Sequence, residues 1–316
     1  VSTDEYERRT ALADIAAMAD HLTTDATAAH EMIAQELAVA VRGLGITSGA
    51  RMLVHGVDPE VFCGLPVAQR WEEPGTIGSL TTTVPEEWPV RRDDTEVFRA
   101  TRRPTRFDVV VFNAPYADVT FHDGLRHDQS IESHAHNLIA ALAFARPGGV
   151  VAGIVGRGVL DDPEPTRRLV LHALGDLLGA ARLPAGALRR VAGCDSTADI
   201  VLFRRRPDGE TPRGPAFTEA IEISVDGVRD HWNEYLDDHP DRLLGRIAAA
   251  PTTFGDPHLT VEPGPVRLAS DLRATLSEIV ADTRERGLAP SPPAVPLEQP
   301  PSARRPGLGS QHEPGL

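Results

Sequence analysis

The stretch that most limits what this chain can become is Phe107-Asp108-Val109-Val110-Val111-Phe112. A run this apolar and β-branched, too short for a core helix, is what a strand buried on both faces requires, and such strands belong to parallel sheets covered by helices. Its neighbours agree. Arg51 to His55 is a second short apolar run, Val67 to Trp71 a weaker one, and Val150 to Val155, Gly179 to Leu183 and Ala198 to Arg204 follow at intervals that leave room for helices. The segments Ile131 to Ala145 and Thr166 to Leu178 carry helical spacing, the first closed by Arg146-Pro147-Gly148-Gly149. Alternation of this kind predicts a doubly wound α/β sheet.

Outside that alternation, Thr10 to Leu44 reads as two helices, with apolar positions at helical spacing at Leu12, Ile15, Ala16 and Met18 and then at Met32, Ile33, Leu37, Val39 and Val41, the second run ended by Gly43 and Gly45. Past Arg206, Phe217 to Val228 is compatible with strand, Trp232 to Arg246 with a polar helix, and Leu268 to Arg286 with an amphipathic helix. From Ala289 onward eight prolines and few core residues predict a disordered tail. The expected organisation is a helical cap (1–50), an α/β core (51–206), an extension (207–288) and a Pro-rich tail (289–316).

Composition removes several functions. All 32 basic residues are arginine, so a P-loop, a pyridoxal Schiff base and a protein-kinase site, each built on a lysine, are excluded. Arginine without lysine, alongside many Ala, Gly and Pro, is what a GC-rich genome writes and points to a bacterial source. Two cysteines, Cys63 and Cys194, are expected to make neither a disulfide framework nor a four-ligand zinc site. The absence of a charged start followed by an apolar run, and of any stretch approaching the ~18 apolar residues of a membrane span, leads us to expect a cytoplasmic protein. A formal charge of −14 argues against a protein that merely coats nucleic acid, although local arginine clusters can still hold phosphates.

The strand at Phe107 runs into Asn113-Ala114-Pro115-Tyr116, and the carboxyl end of a parallel strand is where open α/β sheets bind ligands. An Asn amide oxygen and the next backbone carbonyl can accept both hydrogens of an exocyclic amino group, while an aromatic stacks on the ring that bears it. The tetrapeptide alone is equally compatible with an Asn-Pro turn and a half-buried tyrosine. His122-Asp123, His127-Asp128 and His134-x-His136 are compatible with a divalent metal, but their irregular spacing favours a polar loop, and no metal is assigned. Arginine pairs recur, and the loop Leu183 to Gly193 with Arg189-Arg190, entered from Arg182, is the best candidate for phosphate contact.

These residues, taken in order, resemble the N6-adenine DNA methyltransferases, whose signature is [DNS]-P-P-[YFW] after such a strand, and in particular the methylase module of large bacterial and phage methylase/helicase-type proteins. The likeness continues through Arg146-Pro147-Gly148-Gly149, Leu160-Asp161, Arg182-Leu183-Pro184, Ala192-Gly193, Asp199-Ile200-Val201-Leu202-Phe203, Asn233-Glu234-Tyr235, His239-Pro240 and Leu244-Gly245. It covers roughly Arg51 to Arg246. The resemblance implies a Rossmann-like S-adenosylmethionine-dependent methyltransferase fold, with Asn113, Ala114, Pro115 and Tyr116 holding a flipped adenine. It further implies that Gly56, Phe62, Glu72 and Asn113 line the S-adenosylmethionine site, that DNA meets Arg182, Arg189 and Arg190, and that a helicase or restriction-modification partner completes the system. With no lysine, this chain cannot itself house the helicase motor. One stretch departs from the family pattern L-E-P-x-x-G-x-G-x-F. Val54 stands at its acidic position and Asp58 and Glu60 at two of its glycines, which predicts weakened cofactor affinity and keeps open a catalytically silent, DNA-binding or assembly relative. A methyltransferase acting on another amide, such as protein glutamine, is a more distant alternative.

Overall fold

A computed structural model describes residues 27–46, 50–56, 69–74, 107–113, 120–122, 130–188, 197–250 and 257–290. The first described helix, α1 (Thr27–Gly43), leads to β1 (Arg51–Gly56), β2 (Gln69–Pro74) and β3 (Phe107–Asn113). A small hairpin of β4 (Thr120–His122) and β5 (Ser130–Glu132) precedes α2 (Ser133–Phe144) and β6 (Ala145–Gly156). Then come the short α3 (Gly158–Asp161), α4 (Thr166–Leu174), β7 (Gly175–Arg182) and β8 (Ala198–Arg205).

Six strands form one sheet in the order β2-β1-β3-β6-β8-β7. The pairs β1–β2, β1–β3 and β3–β6 are parallel, and β8 runs antiparallel to both β6 and β7, so five strands share a direction and β8 alone opposes it. Both faces are covered. On one, α1 and the last helix pack in a cluster with Met52, Val54, Val109, Val111 and Ile154; on the other, α2 and α4 contribute Leu138, Leu142 and Leu171 against Phe107, Val110, Phe112 and Phe203. Alternate β3 side chains enter opposite clusters, which is why its sequence is apolar at nearly every position rather than at every second one. This is the Rossmann-like, doubly wound fold that the resemblance implies.

The irregular first residues of β6 show how local sequence fixes that sheet. Gly148 sits at φ 77°, and a Cβ on Gly149 would lie 2.9–3.1 Å from the carbonyl oxygens of Arg146, Phe107 and Asp108. Only glycine lets the chain fold this tightly against β3. Arg146 itself is ion-paired to the buried Asp108, the one charged residue of β3.

Several boundaries differ from the sequence expectation. The helix predicted to reach Leu178 stops at Leu174, because Gly175, Asp176 and Leu177 pair with Arg205, Arg204 and Phe203 of β8. The segment Phe217 to Val228 holds the expected strand, β9 (Ala220–Val225), and a turn at Asp226 and Gly227, with φ 51° and 81°, that leads into its hairpin partner β10 (Val228–Asn233). Trp232 to Arg246 is not one helix. It comprises the end of β10, α5 (Glu234–Asp238), a 3₁₀ turn (Pro240–Arg242) and the start of β11 (Gly245–Ala250), which pairs with β12 (His258–Pro263). Asn233 caps α5 through the Tyr235 N–H, so the chain turns within two residues of the buried Trp232. The amphipathic helix near the end is α6 (Leu268–Glu285), whose Leu272, Leu276, Ile279 and Val280 share a cluster with Ile33, Leu37 and Val41 of α1. The earlier of the two predicted cap helices and most of the tail lie outside the described residues.

Candidate functional site

Chain order along the sheet departs from β1 in two directions, first to β2 and then to β3, so the topological switch point lies between β1 and β3. The last residues of those two strands face each other there: Gly56 is the register partner of Asn113, and Asn113 in turn pairs with Ile154 of β6. The sequence places a residue without a side chain beside a buried amide at the crevice where such folds take their ligands. On the far side of β1, Gly56 pairs with Pro74 and Val54 with Glu72, which sets the predicted ribose acid two residues inside the end of β2.

Asn113 is completely buried. Its Nδ2 lies 3.5 Å from Nε2 of His30, a residue of the first turn of α1 that is likewise buried. On the adjacent strand, the Gly156 N–H at the end of β6 donates to Nδ1 of His134 at 2.7 Å. That bond leaves the ring proton on Nε2 and uses the Nδ1 lone pair, so His134 is held by backbone rather than offered through that nitrogen to a metal. Of the predicted site, Ala114, Pro115, Tyr116 and Phe62 on the ligand side and Arg189 and Arg190 on the DNA side lie outside the described residues, as do His127 and Asp128.

Val54 sits at the position where the resembled family carries an acid. It is fully buried in the apolar cluster with Met52, Val109 and Val111, so no carboxylate enters the crevice from this strand. Among the described residues of β1, the acid of the resembled family thus has no counterpart at position 54.

Arg182 corrects the expected DNA contact. Its guanidinium is wholly inaccessible and gripped by two carboxylates: Nε and Nη2 donate to Asp199 at 2.7 and 2.8 Å, Nη1 and Nη2 to Asp161 at 2.7 and 3.0 Å. The Trp232 ring covers it at 4.4 Å, an arrangement favourable for a cation over an aromatic face. Nothing of this cation is left for a phosphate. Arg157 extends the network, pairing with Asp161 at 3.4 Å and with Asp230 at 2.6 Å, while Asn233 joins through its N–H to Asp161 at 3.0 Å and its amide to the Leu160 and Phe217 carbonyls at 2.8 and 2.9 Å. Burial pushes the Asp161 carboxyl up from its ordinary value against the pull of Arg182. Arg182 moves up as well: burial alone would lower it, and the facing charges of Asp161 and Asp199 outweigh that cost. The motifs Leu160-Asp161, Arg182-Leu183, Asp199-Ile200 and Asn233-Glu234-Tyr235 thus meet in one buried cluster that fastens the hairpin of β9 and β10 to the sheet. His30 and this clustering were missed by sequence reasoning. The only available signal for His30 was a polar residue continuing the apolar stripe of α1.

No protein-family model matches the sequence, and no curated protein matches it. Among solved structures, the chain is similar to a Listeria monocytogenes protein assigned to the class I S-adenosylmethionine-dependent methyltransferases, with 13% identity over 59% of this chain and 63% of that one and a TM-score of 0.38. It is also similar to a modification subunit assigned to a type I restriction enzyme of Vibrio vulnificus, with 13% identity over 83% and 64% of the two chains and a TM-score of 0.37. A third is the N-methyltransferase NodS of Bradyrhizobium japonicum in complex with S-adenosyl-L-homocysteine, with 15% identity over 54% and 86% and a TM-score of 0.28. The alignment spans less than two thirds of the length of the first two of these proteins.

Proposed function

We propose that this chain is a methyltransferase module that acts on the exocyclic amino group of adenine in DNA, with S-adenosylmethionine as its cofactor. The observation that carries the reading is the juxtaposition of Gly56 and Asn113 at the carboxyl ends of β1 and β3, on either side of the switch point. S-adenosylmethionine, when bound, supplies an electrophilic methyl group. The work of the chain is placement: the Asn113 carbonyl oxygen and the Ala114 carbonyl accept the amino hydrogens, Pro115 shapes the turn, and Tyr116 stacks on the flipped base. Glu72 holds the ribose hydroxyls, and Phe62 closes on the adenosyl group. Arg189 and Arg190 take the DNA phosphates, a role Arg182 does not share. A helicase or restriction subunit as partner, and a bacterial cytoplasmic setting, complete the proposal.

The buried Val54 favours a second reading, a silent relative that keeps the fold and binds DNA or assembles with a partner. Calorimetric titration of the folded chain with S-adenosylmethionine separates the two. Heat of binding at millimolar cofactor or below supports the enzyme; none at that concentration removes it and leaves the silent relative.

A further inference from the structure

We propose that His30 is a positioning residue for Asn113, fixing which end of the amide faces the substrate crevice. This rests on the adenine reading above and deepens it, since it names a residue of α1, 83 positions away in sequence, as part of the acceptor site.

The argument starts from the helix. Among the buried positions of α1, Ile33, Leu37 and Val41 are aliphatic, Glu36 is polar and paired to Arg273, and His30 is the other polar residue. A buried imidazole is costly to desolvate unless a polar partner meets it. Asn113 is one such partner, itself buried at the switch point. An amide nitrogen only donates, so the facing His30 Nε2 accepts, and the ring proton resides on Nδ1. Turning the Asn113 amide through 180° would set its oxygen against the same lone pair. With its proton on Nδ1 the imidazole holds the orientation in which nitrogen faces α1 and the carbonyl oxygen is turned away from it, whereas a proton on Nε2 would reverse the amide, so the tautomer of His30 sets the polarity of Asn113. The first is the polarity an adenine amino group needs, because its hydrogens require an acceptor. The helix preceding the sheet thus contributes chemistry as well as a lid of apolar packing.

The test uses the full chain, tritiated S-adenosylmethionine and genomic DNA lacking adenine methylation. His30→Leu and His30→Phe keep volume and remove the acceptor, whereas His30→Gln returns an acceptor oxygen; circular dichroism selects the variants that fold. Positioning predicts that kcat falls about tenfold in the apolar variants while the KM for S-adenosylmethionine stays within about twofold, and that His30→Gln recovers most of the loss. A folded apolar variant with wild-type kcat overturns the proposal. So does a His30→Gln chain as impaired as the apolar ones, which would make the role one of packing. Absence of transfer by the wild-type chain removes the adenine reading and this proposal with it, whereas wild-type transfer untouched by the apolar variants removes this proposal alone.

Discussion

Replacing Arg182 by methionine should be among the most damaging single changes in the molecule, for a reason unrelated to DNA. The guanidinium makes four contacts of 2.7–3.0 Å to Asp161 and Asp199, whose side chains are 3% and 0% exposed. Methionine fills much of the volume and leaves both carboxylates buried. Asp161 retains Arg157 at 3.4 Å and the Asn233 N–H at 3.0 Å, so the heavier loss falls on Asp199. Stranding one partner of a buried ion pair costs about 3–5 kcal/mol, and we expect Arg182→Met to lie in that range at pH 7 by urea denaturation followed by circular dichroism. The pH dependence has a definite sign. Burial already raises the Asp161 carboxyl, and in the variant Arg182 no longer opposes it, so the folded chain binds an extra proton there and the penalty shrinks between pH 7 and about pH 5. A loss below about 1 kcal/mol, or a penalty constant over that range, would refute the view of Arg182 as a buried counter-ion.

Two further expectations follow from the same structure. Gly149→Ala sets a methyl group within 2.9–3.1 Å of three backbone oxygens, none of which can move without shifting β3 or the start of β6, and should lower stability by about 2 kcal/mol or more in the same assay; a loss under about 0.5 kcal/mol would mean that this segment adapts. For the unaltered chain, acid stability is set in part by Asp176 and Asp230. Burial opposes ionisation of both, but the Arg213 N–H with Arg206 and Arg204 in one case, and the Leu259 N–H with Arg157 in the other, outweigh it and hold both carboxyls below their ordinary values. Their contribution is complete above the unfolded carboxylate pKa of about 4 and is lost as pH falls through the folded values, so Asp230→Asn should flatten the acid limb of a stability profile.

What the sequence made legible is what depends on local pattern. The β3 run is apolar because both faces are buried, the Arg-Pro-Gly-Gly start of β6 carries its backbone requirement in its glycines, and the α6 stripe has the helical period. The failures share a different cause. Leu174, Leu177 and Leu178 fit a helical spacing, and only pairing with β8 draws Gly175 to Leu178 into a strand. Trp232 to Arg246 is polar enough to suggest a surface helix, yet Trp232 points into the core and covers Arg182. The meaning of Arg182 itself depends on two aspartates 21 and 17 residues away, and His30 meets Asn113 across 83 residues. No window along the chain holds both halves of such a pair. Asn113 was legible because strand and motif adjoin, and its place beside Gly56 follows once strand order is known.

The central claim is that Asn113 is the acceptor for an adenine amino group, and the most direct measurement compares methyl transfer to adenine-containing DNA by the wild-type chain and Asn113→Ala. The account predicts transfer by the wild-type chain that the variant loses while its affinity for S-adenosylmethionine, measured by calorimetry, is unchanged. Transfer by Asn113→Ala at the wild-type rate would contradict it.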